Sequence, residues 1–423
     1  MSVDISENSV VVSAHQTLLC WDAHTRCLYL AELGEFPRDK FVRVRGEKFV
    51  VCGTSGGEET IPFDEIMFPG GAGRLAFTKG GRFLTGRPDG SVEFSATKLD
   101  TWEKFDCISE EAARRKAWRP DTASGGTELT LAGLRERLGD SLDLIDLKLN
   151  LGWRSEPKIK PRIAWIHNDI NSTFEPLNEA EIVKDIDMFV FVSNWQKSRF
   201  LERYRHIRSK SCVIYNGIRT DEPGNQWKSD APWRFRCAYI SDPGRGLDTL
   251  LEVWKKLDPQ DAELHIWSGT RLWGENGSDR RFYHLFAEAA DTKGVFYHGI
   301  AENRLIRKAL LEMHFLLMPS DFLETFCISA VEAMASGCRV LAPAIGALPE
   351  VVGEFGWLYR HQHDKNAHAE IFVEILNSEF RLPWKGDTCM RERQIEHVKQ
   401  EYSWNVICEQ WSALIMRLTS GRE

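Results

Sequence analysis

Residues 315–352 read FLLMPSDFLETFCISAVEAMASGCRVLAPAIGALPEVV, and the order of apolar, acidic and glycine positions in this stretch decides the architecture. Phe315-Leu316-Leu317-Met318 is short and unbroken in its apolarity, as a strand buried on both faces of a parallel sheet is. Pro319-Ser320 ends it, and a helix-period segment follows with Glu324 just ahead of its start and Glu332 on its second turn. Gly337 stops that helix, and a new apolar strand, Arg339 to Ala342, leads to Gly346 and Glu350. A helix that begins at the carboxyl end of a parallel strand presents unpaired amides and the positive end of its dipole. The amides of Thr325, Phe326, Cys327 and Ile328 therefore suit a phosphate-type anion. The Glu324 carboxylate, just ahead of them, suits hydroxyl donors on the same ligand.

Outward from this stretch the same alternation continues. Ile163 to Ile166, Met188 to Val192, Cys212 to Tyr215, Cys237 to Ile240, Leu264 to Trp267 and Val295 to Tyr297 are all short apolar runs. Each is followed by a polar turn and a helix-period segment such as Leu247 to Leu257, the pattern of parallel βαβ units. A further strand is expected near Leu142 to Leu147. Before residue 110 the text differs. Strands are expected at Val10–Val12, Leu28–Leu30, Phe41–Val44, Phe49–Val51, Arg74–Phe77, Arg82–Leu84 and Val92–Phe94, spaced by turn residues such as Pro88-Asp89-Gly90. A faint repeat of roughly 35 to 40 residues runs through this zone. Gly71-Ala72-Gly73-Arg74-Leu75-Ala76 matches G-x-G-x-x-A, but it leads into strand-and-turn text, not a helix, so a nicotinamide enzyme has little support.

The 423 residues carry 43% hydrophobic and 27% charged positions, ordinary for a globular chain that needs no staples. The net charge of −8 argues against nucleic acid as a partner. No apolar run approaches the roughly 18 residues of a membrane span, and MSVDISENSV lacks the features of a signal peptide, so a cytoplasmic location is expected. The 10 cysteines contain no C-x-x-C pair and read as small buried residues. The 15 Trp are unusual for this length, but packing accounts for most of them.

Glu324 and Glu332 form an E-x7-E motif, and ETFCISAVEAMASG resembles the nucleotide-sugar site of retaining glycosyltransferases of the GT-B fold, family 4 type. Other segments agree in order. Val213-Ile214-Tyr215-Asn216-Gly217-Ile218 resembles the link between the two GT-B domains, and Tyr239 to Leu247 resembles the strand and loop that contact the donor diphosphate. Ser124-Gly125-Gly126-Thr127-Glu128 resembles the G-G-x-E loop, Ser193-Asn194-Trp195-Gln196 the V-S-x-W-Q segment, and Tyr402-Ser403-Trp404 the start of the closing helix. GGRFLTGRPDGSVEFSATKLDTWEKFDCI resembles a fascin-like β-trefoil repeat, with Trp102-Glu103-Lys104-Phe105 as its strand.

The resemblance implies an α/β chain of GT-B type, two Rossmann-like domains with a cleft between them, preceded by a small β-trefoil-like domain. The expected partition is 1–110 for the β module and 116–219 for a trimmed acceptor domain. A donor domain at 220–385 and a closing helix at 386–423 complete it. The implied activity is transfer of a sugar from a nucleotide-diphosphate sugar to a hydroxyl of a glycan, lipid-linked or protein acceptor, with retention. Catalytic roles fall on His167, Glu324 and Arg245. Donor contacts fall on Gly125, Gly126, Ser241, Arg245, Gly299, Glu324, Thr325, Phe326, Cys327, Ile328 and Glu332. No metal and no cofactor is expected beyond the donor substrate. The β module leaves two roles open, acceptor recognition and the joining of protomers into a homo-oligomer. Two alternatives stand beside this reading: a glycoside phosphorylase or hydrolase with paired carboxylates, and a carbohydrate-binding or scaffold protein on an inactive transferase fold. Two Glu at one helix start, facing an amide-rich anion site, fit a diphosphate better than an oxocarbenium flanked from both sides.

Overall fold

The computed structural model describes residues 9–13, 17–22, 27–32, 42–45, 48–52, 58–61, 63, 65–67, 74–87, 91–99, 104–109, 125–151, 160–220, 235–276, 279–381 and 388–420. Two compact units divide the chain: Met1–Ala123 with Ser241–Asn303, and Ser124–Ile240 with Arg304–Glu423.

The first unit opens with antiparallel strands in which successive residues, Val10 to Val12 and Leu18 to Cys20, are buried. The first strand, Ser9–Ser13, pairs with the last of the module, Phe105–Ser109, in the register Ser9↔Ser109 to Ser13↔Phe105. That pairing ties the two ends of the module together. Val11, Leu19, Leu30, Val42, Leu75, Phe77, Leu84 and Phe105 form its core, with Phe63 stacked on Phe77 at 4.7 Å. Three strands were not legible: Thr17–Asp22, Glu58–Thr60 and Glu65–Met67. Arg74–Lys79 is a strand that turns at Gly80-Gly81 into Arg82–Gly86, as expected of text that is not a dinucleotide fingerprint. Phe41, Gly71 to Gly73, Pro88 to Gly90, Trp102 and Glu103 lie outside the described residues, as do Glu110 to Arg119. The small antiparallel strands are in place; a threefold trefoil repeat is a finer statement than these pairings carry. The same unit holds the parallel pair Ala262–Trp267 and Val295–Gly299 and the helices Leu247–Leu257 and Tyr283–Asp291. Lys104 Nζ pairs with Asp291 Oδ1 at 3.0 Å, joining the β module to the second of these helices.

The second unit contains two parallel sheets. In one, the strands lie in the order Asp146–Leu149, Arg162–Ile166, Met188–Phe191, Ser211–Val213. The expected strand near Leu142 begins later, because Gly139–Leu144 closes as a 3-10 turn after the helix Gly126–Leu138. Arg162 to Ile166 are all buried, which explains the unbroken apolarity of Ile163 to Ile166. Arg162 tolerates full burial because Asp146, Asp185 and Asp187 bind its guanidinium and amide. The other sheet orders Phe235–Ile240, Phe315–Leu317, Arg339–Pro343 and Gly356–Tyr359.

Two long helices, Thr388–Tyr402 and Trp404–Thr419, close this unit. Between them Ser403 bridges to Ile218, with Ile218 N donating to Tyr402 O at 2.9 Å. Trp411 packs edge-on to Trp165 at 5.1 Å. The Trp404 indole lies so close to Gly133 and Gly217 that a Cβ at either would meet it at 2.3 or 2.4 Å.

Candidate functional site

The strand Phe315–Leu317 delivers the chain to a loop, exposed at Asp321 to Leu323 and buried again at Glu324, Phe326 and Cys327, that ends at the helix Ile328–Ala335. Gly337, at φ +77°, stops this helix: its amide and that of Cys338 donate to Met334 O and Ala333 O at 3.0 and 2.9 Å. At the other end Cys327 is the N-cap, in a left-handed conformation (φ 79°, ψ 78°) that a side chain disfavours, and it makes no side-chain cap bond. The amides of the first turn therefore have no capping side chain to meet them.

Glu324 and Glu332 are both buried, Glu332 on the second turn of the helix. The Glu324 backbone is gripped by the turn that follows the next strand. Ala347 N donates to Glu324 O at 2.8 Å, and Gly346 (φ +60°) approaches so closely that a Cβ would meet Glu324 O at 2.7 Å. Phe326 packs against Tyr215 and Tyr402, with ring centroids 5.9 and 5.6 Å away.

Two elements of the first parallel sheet reach this loop. Thr325 Oγ1 donates to His167 O at 2.8 Å. His167 follows the strand Arg162–Ile166, its amide held by Asn150 Oδ1 at 3.0 Å, its ring 4.5 Å from that of Trp165. Burial pushes the imidazole down to about 3, so it is neutral at neutral pH, and its Nε2 is buried without a hydrogen-bond partner. The helix Gly126–Leu138 starts beside the loop as well. Gly125 is its N-cap, again without a side-chain cap bond, and a Cβ on Gly126 would come within 3.0 Å of Ile328 Cδ1. Two uncapped helix N-termini thus meet at Gly126 and Ile328, one from each sheet. Glu128, in the first turn of the first of these helices, has its Oε2 buried without a partner.

Gly125, Gly126, His167, Glu324, Thr325, Phe326, Cys327, Ile328 and Glu332 accordingly share one unit. Ser241, Arg245 and Gly299 fall in the other and form a second cluster. There Ser268 joins two of them: its Oγ donates to Ser241 O at 2.7 Å and its amide to Gly299 O at 2.9 Å. Arg245 sits in a turn closed by its own amide on Asp242 O at 2.9 Å, one residue before Gly246 (φ 93°), the N-cap of Leu247–Leu257. Asp279, nearly fully buried, accepts from Thr270 N, Thr270 Oγ1 and Arg271 Nε at 2.6, 2.9 and 2.7 Å and so fixes the loop that follows Trp267.

Sequence reasoning missed Ser268, Asp279 and, in the first cluster's unit, Glu350. The Glu350 carboxylate accepts from Asn194 N and Trp195 N, both at 2.8 Å, and from Tyr215 OH at 2.9 Å. Its position in the quoted stretch was plain, but nothing in the spacing names partners 135 to 156 residues away. Among the described residues no group of three or more His, Cys, Asp or Glu is placed to hold a metal ion, and no helix is long and apolar enough to cross a membrane.

Residues 236–378 match the family model described as Glycosyl transferases group 1. A curated relative, D-inositol 3-phosphate glycosyltransferase of Corynebacterium aurimucosum, is 24% identical over 261 residues, 56% of this chain and 60% of its own length. The chain therefore spans less than two thirds of that relative. Among solved structures, sucrose-phosphate synthase of Thermosynechococcus elongatus is similar with a TM-score of 0.52 at 18% identity, over 70% of this chain and 78% of that one. A glycosyltransferase of Rickettsia africae follows with a TM-score of 0.50 at 16% identity, over 71% and 84%. These likenesses show the fold: an α/β GT-B arrangement built on parallel sheets.

Proposed function

We propose that the chain transfers a sugar from a nucleotide-diphosphate sugar to an acceptor hydroxyl, with retention of anomeric configuration. The observation that carries the reading is the meeting of two uncapped helix N-termini at Gly126 and Ile328, beside the buried Glu324 carboxylate and the neutral His167. A helix N-terminus whose N-cap residue makes no side-chain cap bond favours an anion, and the leaving nucleoside diphosphate gains charge as the glycosidic bond breaks. The match of residues 236–378 to Glycosyl transferases group 1 and the activity named for the Corynebacterium relative support the same reading.

In this mechanism the diphosphate rests on the amides around Ile328. Glu324 accepts hydrogen bonds from the sugar hydroxyls and Glu332 from the ribose. His167 offers its unpartnered Nε2 to the transferring sugar, and because it is neutral it does not compete for the diphosphate charge. Attack from the leaving-group face gives retention without a nucleophilic carboxylate. A guanidinium fork suits phosphate oxygens, so Arg245 is assigned to the diphosphate on sequence grounds, with Ser241 and Gly299 as backbone contacts of the donor. No metal is required. The functional partition remains 1–110, 116–219, 220–385 and 386–423, with the first segment a trefoil-like module.

The test is a thermal-shift panel of UDP-, GDP- and ADP-sugars, followed by NMR of the product anomer with the donor that binds. Stabilisation by one nucleotide class, lost in Glu324→Ala for the sugar but not for the bare nucleoside diphosphate, is the expected result. A chain that no nucleotide sugar stabilises is not a transferase, and an inverted product removes the retaining mechanism.

A further inference from the structure

We propose that Glu350 is a positioning residue: it fixes the separation of His167 and Glu324 by closing a ring of hydrogen bonds that runs through both parallel sheets of the unit. The inference rests on the sugar-transfer reading of that site.

The ring can be followed bond by bond. Glu324 O is held by Ala347 N at 2.8 Å. Three residues on, in the short helix Leu348–Val352, Glu350 reaches the other sheet, where Oε1 takes Asn194 N, Asn194 Nδ2 and Tyr215 OH, and Oε2 takes Trp195 N, all between 2.8 and 2.9 Å. Asn194 and Trp195 are the first residues of the helix Asn194–Arg203, so the carboxylate sits on its positive end. That helix is bolted to the loop beside His167: Gln196 Nε2 donates to Asn168 O at 2.9 Å. Arg199 forms a fork on Asp169 at 3.0 and 2.9 Å. His167 O then accepts from Thr325 Oγ1 at 2.8 Å, one residue from Glu324, and the ring closes.

Both Glu350 oxygens are used, and every donor belongs to a segment that follows a strand of the opposite sheet: the helix Asn194–Arg203 and Tyr215. The Tyr215 hydroxyl, pushed up to about 12 first by burial and then by Glu350 itself, remains a donor across the physiological range. Each sheet has its own apolar core, so the ring's contribution is the register between them. That register decides whether a sugar held by Glu324 lies within reach of His167, and catalysis is sensitive to displacements of about 1 Å.

The decisive comparison is wild type, Glu350→Gln and Tyr215→Phe in the full-length chain. The Gln variant keeps the shape but turns an amide donor toward donors, while the Phe variant removes one of the four bonds. Three quantities are read: affinity for the nucleoside diphosphate, kcat and KM with donor and acceptor, and amide hydrogen exchange at Asn194 and Trp195. Glu350→Gln is expected to speed exchange at those two amides by about tenfold and to lower kcat at least as much. Nucleotide affinity stays within about twofold, and Tyr215→Phe falls between. Unchanged exchange in Glu350→Gln overturns the ring. Faster exchange with unchanged kcat makes Glu350 a helix cap and overturns positioning. An equal loss of nucleotide affinity and kcat makes it part of the donor site and also overturns it. If wild type binds no nucleotide, the transfer reading fails, whereas the exchange result still decides the ring.

Discussion

Two helix N-termini in the same unit carry opposite arrangements. At Asn194–Arg203 the end is filled: Ser193 Oγ accepts from Gln196 N at 3.0 Å, and Glu350 takes the first two amides. At Ile328–Ala335 the N-cap residue makes no side-chain cap bond, and it is a cysteine held at φ 79°. The comparison separates stability from function. Where the chain supplies its own anion, the N-terminus is a joint; where its N-cap residue supplies none, the proposed function makes it a receptor. Glu350 places one oxygen on each of two successive amides.

The largest effect expected from breaking this contrast is at Glu324. Glu324→Gln should lower the rate of transfer by about 100- to 1,000-fold, because the carboxylate proposed to hold the donor sugar is lost, with little change in unfolding temperature. Steady-state kinetics and a melting scan on the same preparation decide it. Next comes Gly126→Val, which pushes a branched side chain into the 3.0 Å gap to Ile328. It should weaken nucleoside diphosphate binding about tenfold or more by calorimetry, since it closes the meeting point of the two free ends.

The pH dependence follows from His167. Its folded value, about 3, lies below the ordinary 6.5, so the unfolded chain takes up the extra proton first as pH falls. This contribution is fully present above 6.5 and is lost as pH falls from 6.5 toward 3. His167→Gln should flatten the slope of unfolding free energy in that window by up to one proton, measured by denaturant titration at several pH values. Ser193→Ala removes the cap from the filled end and should cost about 1 kcal/mol without touching nucleotide affinity. The smallest effect is Cys327→Gly, which releases the left-handed strain and should stabilise by about 1 kcal/mol, less the entropy that glycine adds to the unfolded chain. A loss of stability there would mean that the thiol's contact with Met318, 3.9 Å between sulfurs, outweighs the strain.

The parallel strands were legible because burial on both faces demands unbroken apolar text, and the helix Leu247–Leu257 because its period and glycine start agree. Gly356–Tyr359 was not, since a four-residue strand with glycine at its head and an exposed Trp357 lacks that signature. Thr17–Asp22 was passed over although Leu18 to Trp21 is an unbroken apolar run, because its neighbours gave no turn signal that separates it from Cys27–Glu32. In the site, Glu324 and Glu332 declare themselves by their spacing, one ahead of the helix start and one on its second turn. The role of Glu350 depends on Asn194, Trp195 and Tyr215, which only tertiary folding brings to it, and the left-handed Cys327 hides because cysteine carries no expectation of positive φ.

The indole of Trp404 has a consequence for how the chain is made. It occupies the space that Gly133 and Gly217 leave open, and Trp411 completes the face of Trp165. The parallel sheet that carries Trp165 is therefore finished by residues more than 230 positions later in the chain. On the ribosome that sheet waits, with its tryptophan face uncovered, until Trp404–Thr419 has emerged, so its vulnerability to chaperones and proteases is set by elongation time and not by its own folding rate.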